Sequence, residues 1–437
     1  MRGRYASVST SGAVCNRGIK VGMAKLSEIL KSRGYVYQHS SETLEEITDG
    51  KKRTVYLGVD PTADSIHAGN FAVFMLLRRF ADAGHKIILI IGGGTALAGD
   101  PKPDVERTLT DPAIIEARAA KLRAQAEKLL GGVEVELVNN ADWLTKLNLM
   151  EFLRDTGKHF TVNNLIKKDA ISARMKGEEG ISFTEFSYPL LQAYDFWHLY
   201  KEYACDVQIG GSDQWGNIIA GVDLIRRKEN ATVFALSCPL IIDKATGKKF
   251  GKSEGNAVWL DAEKTSPYAF YQFWLGASDE SVADYLKLFT LLSDMEIDAV
   301  MEMHRRDAKE HHAQHLLARE VTTLVHGAET AETVEKVSSV LFDDAGLKGL
   351  DDGALSMLKS AAPSHETSVD TLLVDVLVSS KLAISKREAK LFLTDKAIVL
   401  NGEVVTDEKR KLAAEDFYNG TALLKRGKKN VCVLTLA

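Results

Sequence analysis

Short, almost wholly apolar runs alternate with amphipathic stretches through the first half of the chain, and this alternation limits the fold more than any other feature. The run KIILIIGG has the length and composition of a buried β-strand, and the preceding HAGNFAVFMLLRRFADAG has apolar residues at helical spacing. Strands and helices that alternate in this way form parallel sheets with right-handed crossovers. We therefore predict a doubly wound α/β domain, whose ligands bind at the carboxyl ends of the strands.

The pattern changes twice further along the chain. The β-strand signals fade after about residue 265, and the stretch SAAPSHETSV has the composition of a linker. The last segment is mixed and contains twelve basic and nine acidic residues. We expect an N-terminal extension, a doubly wound parallel-sheet domain, a helical domain, a linker and a small α+β domain, at 1–22, 23–262, 263–359, 360–369 and 370–437.

Composition narrows the class of protein. The 437 residues, the apolar fraction of 45% and the net charge of −5 fit a multi-domain globular protein better than a non-specific polyanion binder. The four cysteines lie far apart, so their spacing indicates neither a zinc site nor a disulfide framework. These features predict a cytoplasmic protein without a membrane partner. Residues 1–22 are basic and lack acidic residues, which leaves organellar import as an alternative to a disordered tail.

The first candidate site follows the first predicted strand, in YLGVDPTADSIHAGN. A helix that begins near His67 would present backbone N–H groups, which attract anions. Gly69 lacks a Cβ and would let a phosphate or a planar ring approach, and Asn70 adds a polar group. This arrangement suits a nucleoside triphosphate, although it is not a Walker loop. The simpler interpretation is that His67 and Asn70 only cap a helix.

The second candidate site is the stretch KKFGKSEGN. It places Lys248, Lys249 and Lys252 around a glycine, followed by Ser253. Lysines on such a loop can close over a pyrophosphate leaving group. The spacing to the preceding glycine excludes a Walker loop. A solvated basic turn is the simpler alternative.

Together, the two motifs resemble the HIGH and KMSKS signatures of class I aminoacyl-tRNA synthetases. The stretches AGDP, GISFTEFSYPLLQAYD and QIGGSDQWGNI make the chain similar to bacterial-type tyrosyl-tRNA synthetases from about residue 24 to the end. The resemblance implies a Rossmann-like catalytic domain that forms tyrosyl-adenylate and pyrophosphate from tyrosine and ATP, and then transfers tyrosine to tRNA(Tyr). It also implies a homodimer, and Mg²⁺ that accompanies ATP without a dedicated protein metal site.

The resemblance also assigns roles in a tyrosine pocket. It places Tyr56 and Asp195 at the phenol hydroxyl, and Asp100, Tyr188 and Gln192 at the ammonium group. A phenol both donates and accepts a hydrogen bond, so a hydroxyl and a carboxylate suit it. Tyr188, Gln192 and Asp195 have the spacing of one helix face.

Further matches concern ATP and the reacting carboxylate. The residues matched to phosphate stabilisation are Thr62, His67, Asn70, Lys249 and Lys252. The residues matched to the nucleotide and to the tyrosine carboxylate are Asp60, Gly69, Gly210, Gly211, Ser212, Asp213, Gln214, Lys252 and Ser253. No general base is then required, because the tyrosine carboxylate attacks the α-phosphorus of ATP in line.

Some positions depart from the family pattern. Asn70 replaces the second His of the first motif, and Leu57 stands where many relatives have a Cys near the ribose. The loop GDPKPDVERT is shorter, and Lys102 and Arg107 are its candidate pyrophosphate contacts. Asn140 matches a residue at the pocket rim.

The C-terminal segment resembles an S4-type RNA-binding domain. Lys386, Arg387 and Lys390 lie on one predicted helix and are the candidate tRNA contacts. Lys381 and Lys396 stand where the family often has Gly. A solvated charged helix is the simpler interpretation of these basic residues.

Three other functions compete with this one. A tryptophan enzyme on the same scaffold would leave the Tyr56–Asp195 pair without a hydroxyl to bind, because indole has none. A catalytically silent RNA-binding relative would not need the motif residues, and a small-molecule nucleotidylyltransferase leaves the S4-like segment unexplained. His311 and His315 have the spacing of a metal pair, but no third ligand is evident, so we predict no metal site.

Overall fold

A six-stranded sheet forms the centre of the first half of the chain. The computed structural model describes residues 24–101, 110–177, 180–245, 247, 250, 252–253, 256–342, 346–427 and 430–437. The strand order is β1–β6–β5–β2–β3–β4, and all neighbours are parallel except β1 and β6. The strands are β1 (Gln38–His39), β2 (Thr54–Val59), β3 (Lys86–Ile91), β4 (Val135–Asn139), β5 (Val207–Gly211) and β6 (Phe234–Cys238).

Helices cover both faces of this sheet, which confirms the predicted doubly wound α/β class. Residues alternate along β2, so Val55 and Leu57 pack towards α3 and α4, while Tyr56 packs towards α9 and α10. The helices of this half are α1 (Leu26–Ser32), α2 (Glu45–Thr48), α3 (Ala68–Asp82), α4 (Pro112–Leu130), α5 (Ala141–Leu144), α6 (Leu149–Asp155), α7 (Val162–Leu165), α8 (Asp169–Lys176), α9 (Phe183–Tyr203) and α10 (Trp215–Glu229).

The region between β4 and α9 differs from its predicted form. Helical spacing in the sequence predicts two helical segments near 144–158 and 162–176, and the structure has the four short helices α5 to α8 there. The side chain of Asn148 accepts hydrogen bonds from the backbone N–H groups of Met150 and Glu151, and so starts a new helix inside the first segment. Two further strands were not predicted from the sequence, namely β1, which has only two residues, and β6, which has five.

A helical unit follows a small β-hairpin. The hairpin pairs β7 (Lys252–Ser253) with β8 (Asn256–Ala257) in antiparallel fashion. Phe71 of α3 packs against Trp274 and Phe289 of the helical unit, so one apolar core joins the two. The helices are α11 (Pro267–Leu275), α12 (Val282–Phe289), α13 (Asp294–Arg306), α14 (His312–His326), α15 (Ala328–Phe342) and α16 (Asp352–Ala361).

A second sheet forms the C-terminal unit, with the strand order β11–β10–β12–β13–β9. Its edge strand β9 lies within 360–369, where composition indicates a linker, and pairs in parallel with β13. Local composition does not reveal this pairing, because the partner strand lies about 65 residues later along the chain. The elements are β9 (Ser364–Thr367), α17 (Leu373–Ser379), α18 (Lys386–Thr394), β10 (Ile398–Leu400), β11 (Glu403–Val404), β12 (Thr421–Arg426) and β13 (Asn430–Leu436).

Within the described residues, no helix is both long enough and apolar enough to cross a membrane.

Candidate active site

Asp195 of α9 is buried against the sheet, at the place predicted for the tyrosine pocket. Its carboxylate accepts hydrogen bonds from Asn140 Nδ2 at 2.8 Å and from Trp143 Nε1 at 2.7 Å. Burial raises the pKa of Asp195 to about 7, and the two hydrogen bonds oppose this increase. The carboxylate is therefore costly to ionise and gains from a further hydrogen-bond donor.

Tyr56 extends from β2 into the same pocket. It is 1% exposed, its ring packs on Phe196 at 5.2 Å between centroids, and its Oη has no hydrogen-bond partner among the described residues. Burial first, and then the charge of Asp195, hold the pKa of Tyr56 well above its usual range, so it stays a neutral phenol. A buried hydroxyl without a partner costs about 1–3 kcal/mol, and a ligand hydroxyl would offset this cost.

Asn140 and two residues near it hold this end of the pocket together. Asn140 was expected at the rim but is 1% exposed, and its Oδ1 accepts from the backbone N–H of Gly94 at 2.7 Å. Its Nδ2 also reaches Thr95 Oγ1 at 2.9 Å. Neither Thr95 nor Trp143 was predicted from the sequence. Their positions offered a signal in each case, since Thr95 follows the GGG turn and Trp143 lies three residues after Asn140.

Gln208 is a further pocket residue that the sequence analysis missed. It sits beside Tyr56 in the register of β5 and β2, and its side chain is buried. Its Oε1 has no hydrogen-bond partner within the described ranges, and the same holds for Gln192 Oε1 on α9. Two buried amide oxygens and the Tyr56 hydroxyl therefore border the pocket with unused hydrogen-bonding capacity.

The carboxylates of Asp60 and Asp100 flank Tyr188 of α9. Tyr188 Oη donates to Asp60 Oδ2 at 2.7 Å, and Thr95 Oγ1 donates to Asp60 Oδ1 at 2.7 Å. Burial raises the pKa of Tyr188 most, followed by the charges of Asp60 and Asp100, with a smaller contribution from Asp195. Three carboxylates thus contribute a negative potential at Tyr188, and this potential favours a cationic ligand group such as an ammonium.

Asp100 is held from the opposite side by α10 and the turn before it. Gln214 Nε2 donates to one carboxylate oxygen at 2.9 Å, and Asn217 Nδ2 donates to the other at 3.1 Å. The structure therefore brings Asp100 and Gln214 together. It adds Asn217, which the sequence analysis missed.

Two glycine turns allow these close approaches. A Cβ on Gly92 would lie 1.9 Å from Asp60 Oδ1, so only glycine fits beneath that carboxylate. In the second turn, a Cβ on Gly211 would lie 2.4 Å from Asp213 Oδ1, and Gly210 is buried against Gln214. The turn leaves Asp213 exposed at the carboxyl end of β5, where ligands of parallel sheets bind.

The HAGN motif lies at the start of α3, as predicted, but its first N–H groups are partly engaged. Ala68 N–H donates to Val258 O at 2.8 Å, and Asn70 N–H donates to His67 O at 2.9 Å. Two of the N–H groups expected to attract an anion are therefore already bonded within the protein, one of them to a residue that follows the lysine motif. His67 packs edge-on against Trp259, with the ring centroids 5.9 Å apart.

Gly69 keeps the two motifs close together. A Cβ at this position would lie 2.9 Å from His67 Cε1 and 3.1 Å from the carbonyl oxygen of Phe250. The predicted close approach is thus made by the protein's own imidazole and carbonyl groups. Thr62 is exposed nearby, and its carbonyl accepts from Arg118 Nη1 at 3.1 Å, which adds a cation that the sequence analysis missed.

Several predicted phosphate contacts lie outside the described residues, namely Lys102, Arg107, Lys248 and Lys249. The backbone of Lys252 and Ser253 forms β7, on the chain that leads to Trp259.

Leu57 is buried in the core on the α3 face of the sheet.

The candidate tRNA contacts lie on the surface of α18. Lys386 pairs with Asp375 at 2.6 Å, Lys390 pairs with Glu408 at 3.0 Å, and Arg387 is exposed. Exposed ion pairs stabilise a fold by only about 0–1 kcal/mol, so phosphate groups can replace these partners.

Two lysines on either side of α18, at positions where the resemblance implies glycine, have left-handed backbone. Lys381 has φ +62° and Lys396 has φ +57°. This conformation explains why glycine suits both positions.

Comparison with known proteins agrees with this geometry. Residues 48–343 match the family model described as tRNA synthetases class I (W and Y). The chain belongs to this family. Residues 355–434 match a second model, described as a Tyrosine--tRNA ligase SYY-like C-terminal domain.

Similar proteins of the family come from bacteria and fungi. A tyrosine–tRNA ligase of Lactococcus lactis subsp. cremoris (strain SK11) is 44% identical over 93% of this chain and 98% of its own length. That of Bacillus pumilus (strain SAFR-032) is 45% identical over 94% of this chain and all of its own length. A C-terminally truncated mitochondrial tyrosyl-tRNA synthetase of Aspergillus nidulans superposes with a TM-score of 0.66 at 32% identity, covering 73% of this chain and 94% of its own.

Proposed function

We propose that the chain is a tyrosine–tRNA ligase that activates L-tyrosine with ATP and transfers it to tRNA(Tyr). The observation that carries this proposal is the pairing of Tyr56 and Asp195 at the buried end of the pocket, with one phenol lacking a partner and one carboxylate of raised pKa. A ligand phenol can accept from Tyr56 and donate to Asp195, whereas the indole of tryptophan has no oxygen to accept from Tyr56. The curated relatives are named tyrosine–tRNA ligases, which supports the same choice.

The remaining site residues fit the first half-reaction. Asp100, Tyr188 and Gln192 bind the ammonium group of tyrosine, and Gln214 lies beside its carboxylate. This placement directs the carboxylate towards the nucleotide side of the pocket, where Asp60, Gly210 and Asp213 stand. The carboxylate attacks the α-phosphorus, and pyrophosphate leaves without a general base.

The HAGN and KFGKS motifs act on the leaving group. Thr62 and His67 bind the γ-phosphate as charge develops, and Lys249 and Lys252 neutralise the pyrophosphate. Mg²⁺ arrives with ATP as part of the substrate. Within the described ranges, no group of three His, Cys, Asp or Glu side chains is arranged to hold a metal ion.

A homodimer is part of the proposal. Helices α6 and α7 and the start of α9 expose large apolar side chains that are 68%, 71%, 62% and 76% accessible, at Leu149, Met150, Val162 and Phe183. Large exposed apolar side chains mark interaction sites where they lie together, and we propose that these four do so. Sedimentation velocity of Met150→Lys should show monomer where the wild type shows dimer, and Met295→Lys on α13 is the matched exposed control.

The second half-reaction completes the proposal, and a charging assay tests it. Lys386, Arg387 and Lys390 provide the tRNA contacts of the C-terminal unit. Incubation with ATP, Mg²⁺, labelled tyrosine and tRNA(Tyr) should yield acid-precipitable tyrosyl-tRNA. Absence of product with active, folded protein would contradict the proposal.

A cytoplasmic location is proposed because the similar curated relatives are bacterial. The organellar alternative depends on residues 1–22, which lie outside the described residues.

A further inference from the structure

One face of α4 lies along the loop that joins β2 to α3. Gln125 Oε1 accepts from the backbone N–H of Ile66 at 2.8 Å, and Arg118 Nη1 donates to the carbonyl oxygen of Thr62 at 3.1 Å. Arg118 and Gln125 are seven residues apart, so they lie two turns apart on the same side of the helix. Because Leu122 anchors α4 in the main core, the helix holds the base of the Arg118 side chain at a fixed place beside this loop.

The backbone of Thr62 is fixed on both sides. Its N–H donates to the carbonyl oxygen of Asp60 at 2.8 Å, and its own carbonyl accepts from Arg118. The residue is exposed, and its hydroxyl makes no hydrogen bond within the described residues. The hydroxyl is therefore available to a ligand, as the proposed contact of Thr62 with the γ-phosphate requires, and the guanidinium of Arg118 lies beside it.

Arg118 keeps most of its hydrogen-bonding capacity for a ligand. A guanidinium has five N–H donors, and within the described residues Arg118 uses the one at Nη1 that reaches Thr62. No carboxylate of the described residues forms an ion pair with it. Its positive charge is therefore uncompensated there, and the residue is only half-buried, so an anion can reach it from solvent.

Two lysines contact the same loop, but they share one carboxylate. Lys264 Nζ lies 2.7 Å from Asp64 Oδ1, and Lys121 Nζ lies 3.6 Å from Asp64 Oδ2. The hydrogen bond from Lys264 is the main effect that lowers the pKa of Asp64, so this carboxylate stays ionised and attracts both lysines. Of these three cations, Arg118 is the one whose charge is left for another anion.

The loop and its cations lie next to the HAGN motif. Lys264 Nζ lies 5.4 Å from the ring centroid of Trp259, whose ring packs edge-on against His67. The backbones of His67 and Trp259 also pair in an isolated antiparallel bridge. Arg118 and His67 therefore border the same end of the site, where the motif residues are proposed to act on the phosphates of ATP.

We infer that Arg118 binds the γ-phosphate of ATP together with Thr62 and His67, and stays bound to it in the pyrophosphate that leaves. The inference rests on the proposed function. The fork of N–H groups on a guanidinium matches two oxygens of one phosphate, so arginine suits this position better than a lysine would.

The arginine acts on the bond that breaks in adenylate formation. The tyrosine carboxylate forms a bond to the α-phosphorus, the bond from the α-phosphorus to the bridging oxygen breaks, and its electron pair stays on the pyrophosphate. Negative charge builds up on the pyrophosphate, so a cation beside the γ-phosphate stabilises the transition state more than it stabilises bound ATP. Arg118 neither gives nor takes a proton in this step.

Three variants test this role. Arg118→Gln removes the charge and keeps an N–H donor, whereas Arg118→Lys keeps the charge. Arg123→Gln makes the same chemical change on the same helix, at an exposed arginine that pairs with Glu127 at 3.4 Å, so it is the matched control. Each variant is measured as the full-length chain.

Two readouts separate the two half-reactions. In tyrosine-dependent ATP–pyrophosphate exchange, the kcat/KM for ATP should fall about 10- to 150-fold in Arg118→Gln, as expected for the loss of one charge-assisted contact. It should recover in part in Arg118→Lys and stay within about twofold of wild type in Arg123→Gln. Single-turnover transfer of tyrosine from the isolated tyrosyl-adenylate complex to tRNA(Tyr) should stay within about twofold of wild type in Arg118→Gln, because pyrophosphate has left before this step.

A double-mutant cycle with Thr62→Ala separates direct contact from positioning of Thr62. If Arg118 acted only through the carbonyl of Thr62, its replacement would have no effect once the Thr62 hydroxyl is gone. With direct contact, Arg118→Gln should still lower the kcat/KM for ATP about tenfold or more in the Thr62→Ala background.

The inference is overturned if Arg118→Gln exchanges as wild type does, if it slows the transfer step as much as exchange, or if its effect disappears in Thr62→Ala. A wild-type protein without tyrosine-dependent exchange contradicts the proposed function instead. Calorimetric titration with inorganic pyrophosphate and Mg²⁺ still tests Arg118 in that case. Arg118→Gln should then bind pyrophosphate about tenfold more weakly than wild type, and equal affinity would overturn the inference.

Discussion

Replacement of Asp195 by Asn tests the phenol end of the pocket. The carboxylate accepts from Trp143 Nε1 and Asn140 Nδ2, and in the proposed complex it also accepts from the phenol of tyrosine. Asn has one acceptor oxygen, so its NH₂ group must face one of these donors. The lost charge-assisted bond to the phenol corresponds to about 1.5–3 kcal/mol, or roughly 10- to 150-fold in kcat/KM for tyrosine. Phenylalanine makes no such bond and should lose little.

The assay is pyrophosphate exchange at pH 8, where the Asp195 carboxylate of the wild type is ionised. We expect the ratio of kcat/KM for tyrosine to that for phenylalanine to fall by about the same 10- to 150-fold in Asp195→Asn. Glu202→Gln, an exposed charge removal on the same helix, is the control and should leave the ratio unchanged. An unchanged ratio in Asp195→Asn would refute the placement of the phenol.

Three further predictions concern stability and the HAGN motif. Gly69→Ala should lower the rate of ATP–pyrophosphate exchange about 10- to 100-fold, since the new Cβ displaces the imidazole of His67. The affinity for tyrosine should stay within about twofold of wild type, because the Cβ does not reach the tyrosine pocket. Weakened tyrosine binding in a fluorescence titration would contradict this prediction. Lys381→Gly should raise the free energy of unfolding in urea by about 0.5–1 kcal/mol by relieving the left-handed backbone, and a loss of stability would disprove the explanation. Because the pKa of Asp195 is raised to about 7 in the folded state, its neutral form stabilises the fold fully below about pH 4, and this contribution is lost as pH rises through about 7. Relative to Asp195→Asn, the wild type should lose stability over that window, and parallel pH profiles of the two proteins would exclude the raised pKa.

Periodicity predicts the elements of the α/β half well because the local signals are strong there. Apolar residues from Phe183 to Tyr203 recur at helical spacing, and the structure has one helix there, which places Tyr188, Gln192 and Asp195 together. The short helices α5 to α8 were harder to foresee, since capping by single side chains such as Asn148 interrupts an otherwise helical pattern.

Contacts between distant segments could not be foreseen from local patterns. The pairing of Asn140 and Trp143 with Asp195, and the position of Gln208 beside Tyr56, depend on the strand order of the sheet. The same holds for β9, whose partner strand comes at the end of the chain. The motif residues themselves were identifiable because each motif is contiguous in sequence.

The central claim is that the pocket selects tyrosine for activation by ATP. The most direct measurement is amino-acid-dependent ATP–pyrophosphate exchange with L-tyrosine, L-tryptophan and L-phenylalanine in parallel. We predict much faster exchange with tyrosine than with either of the other two, because only tyrosine carries a hydroxyl for Tyr56 and Asp195. Equal or faster exchange with tryptophan, or no exchange with any of the three, would contradict the account.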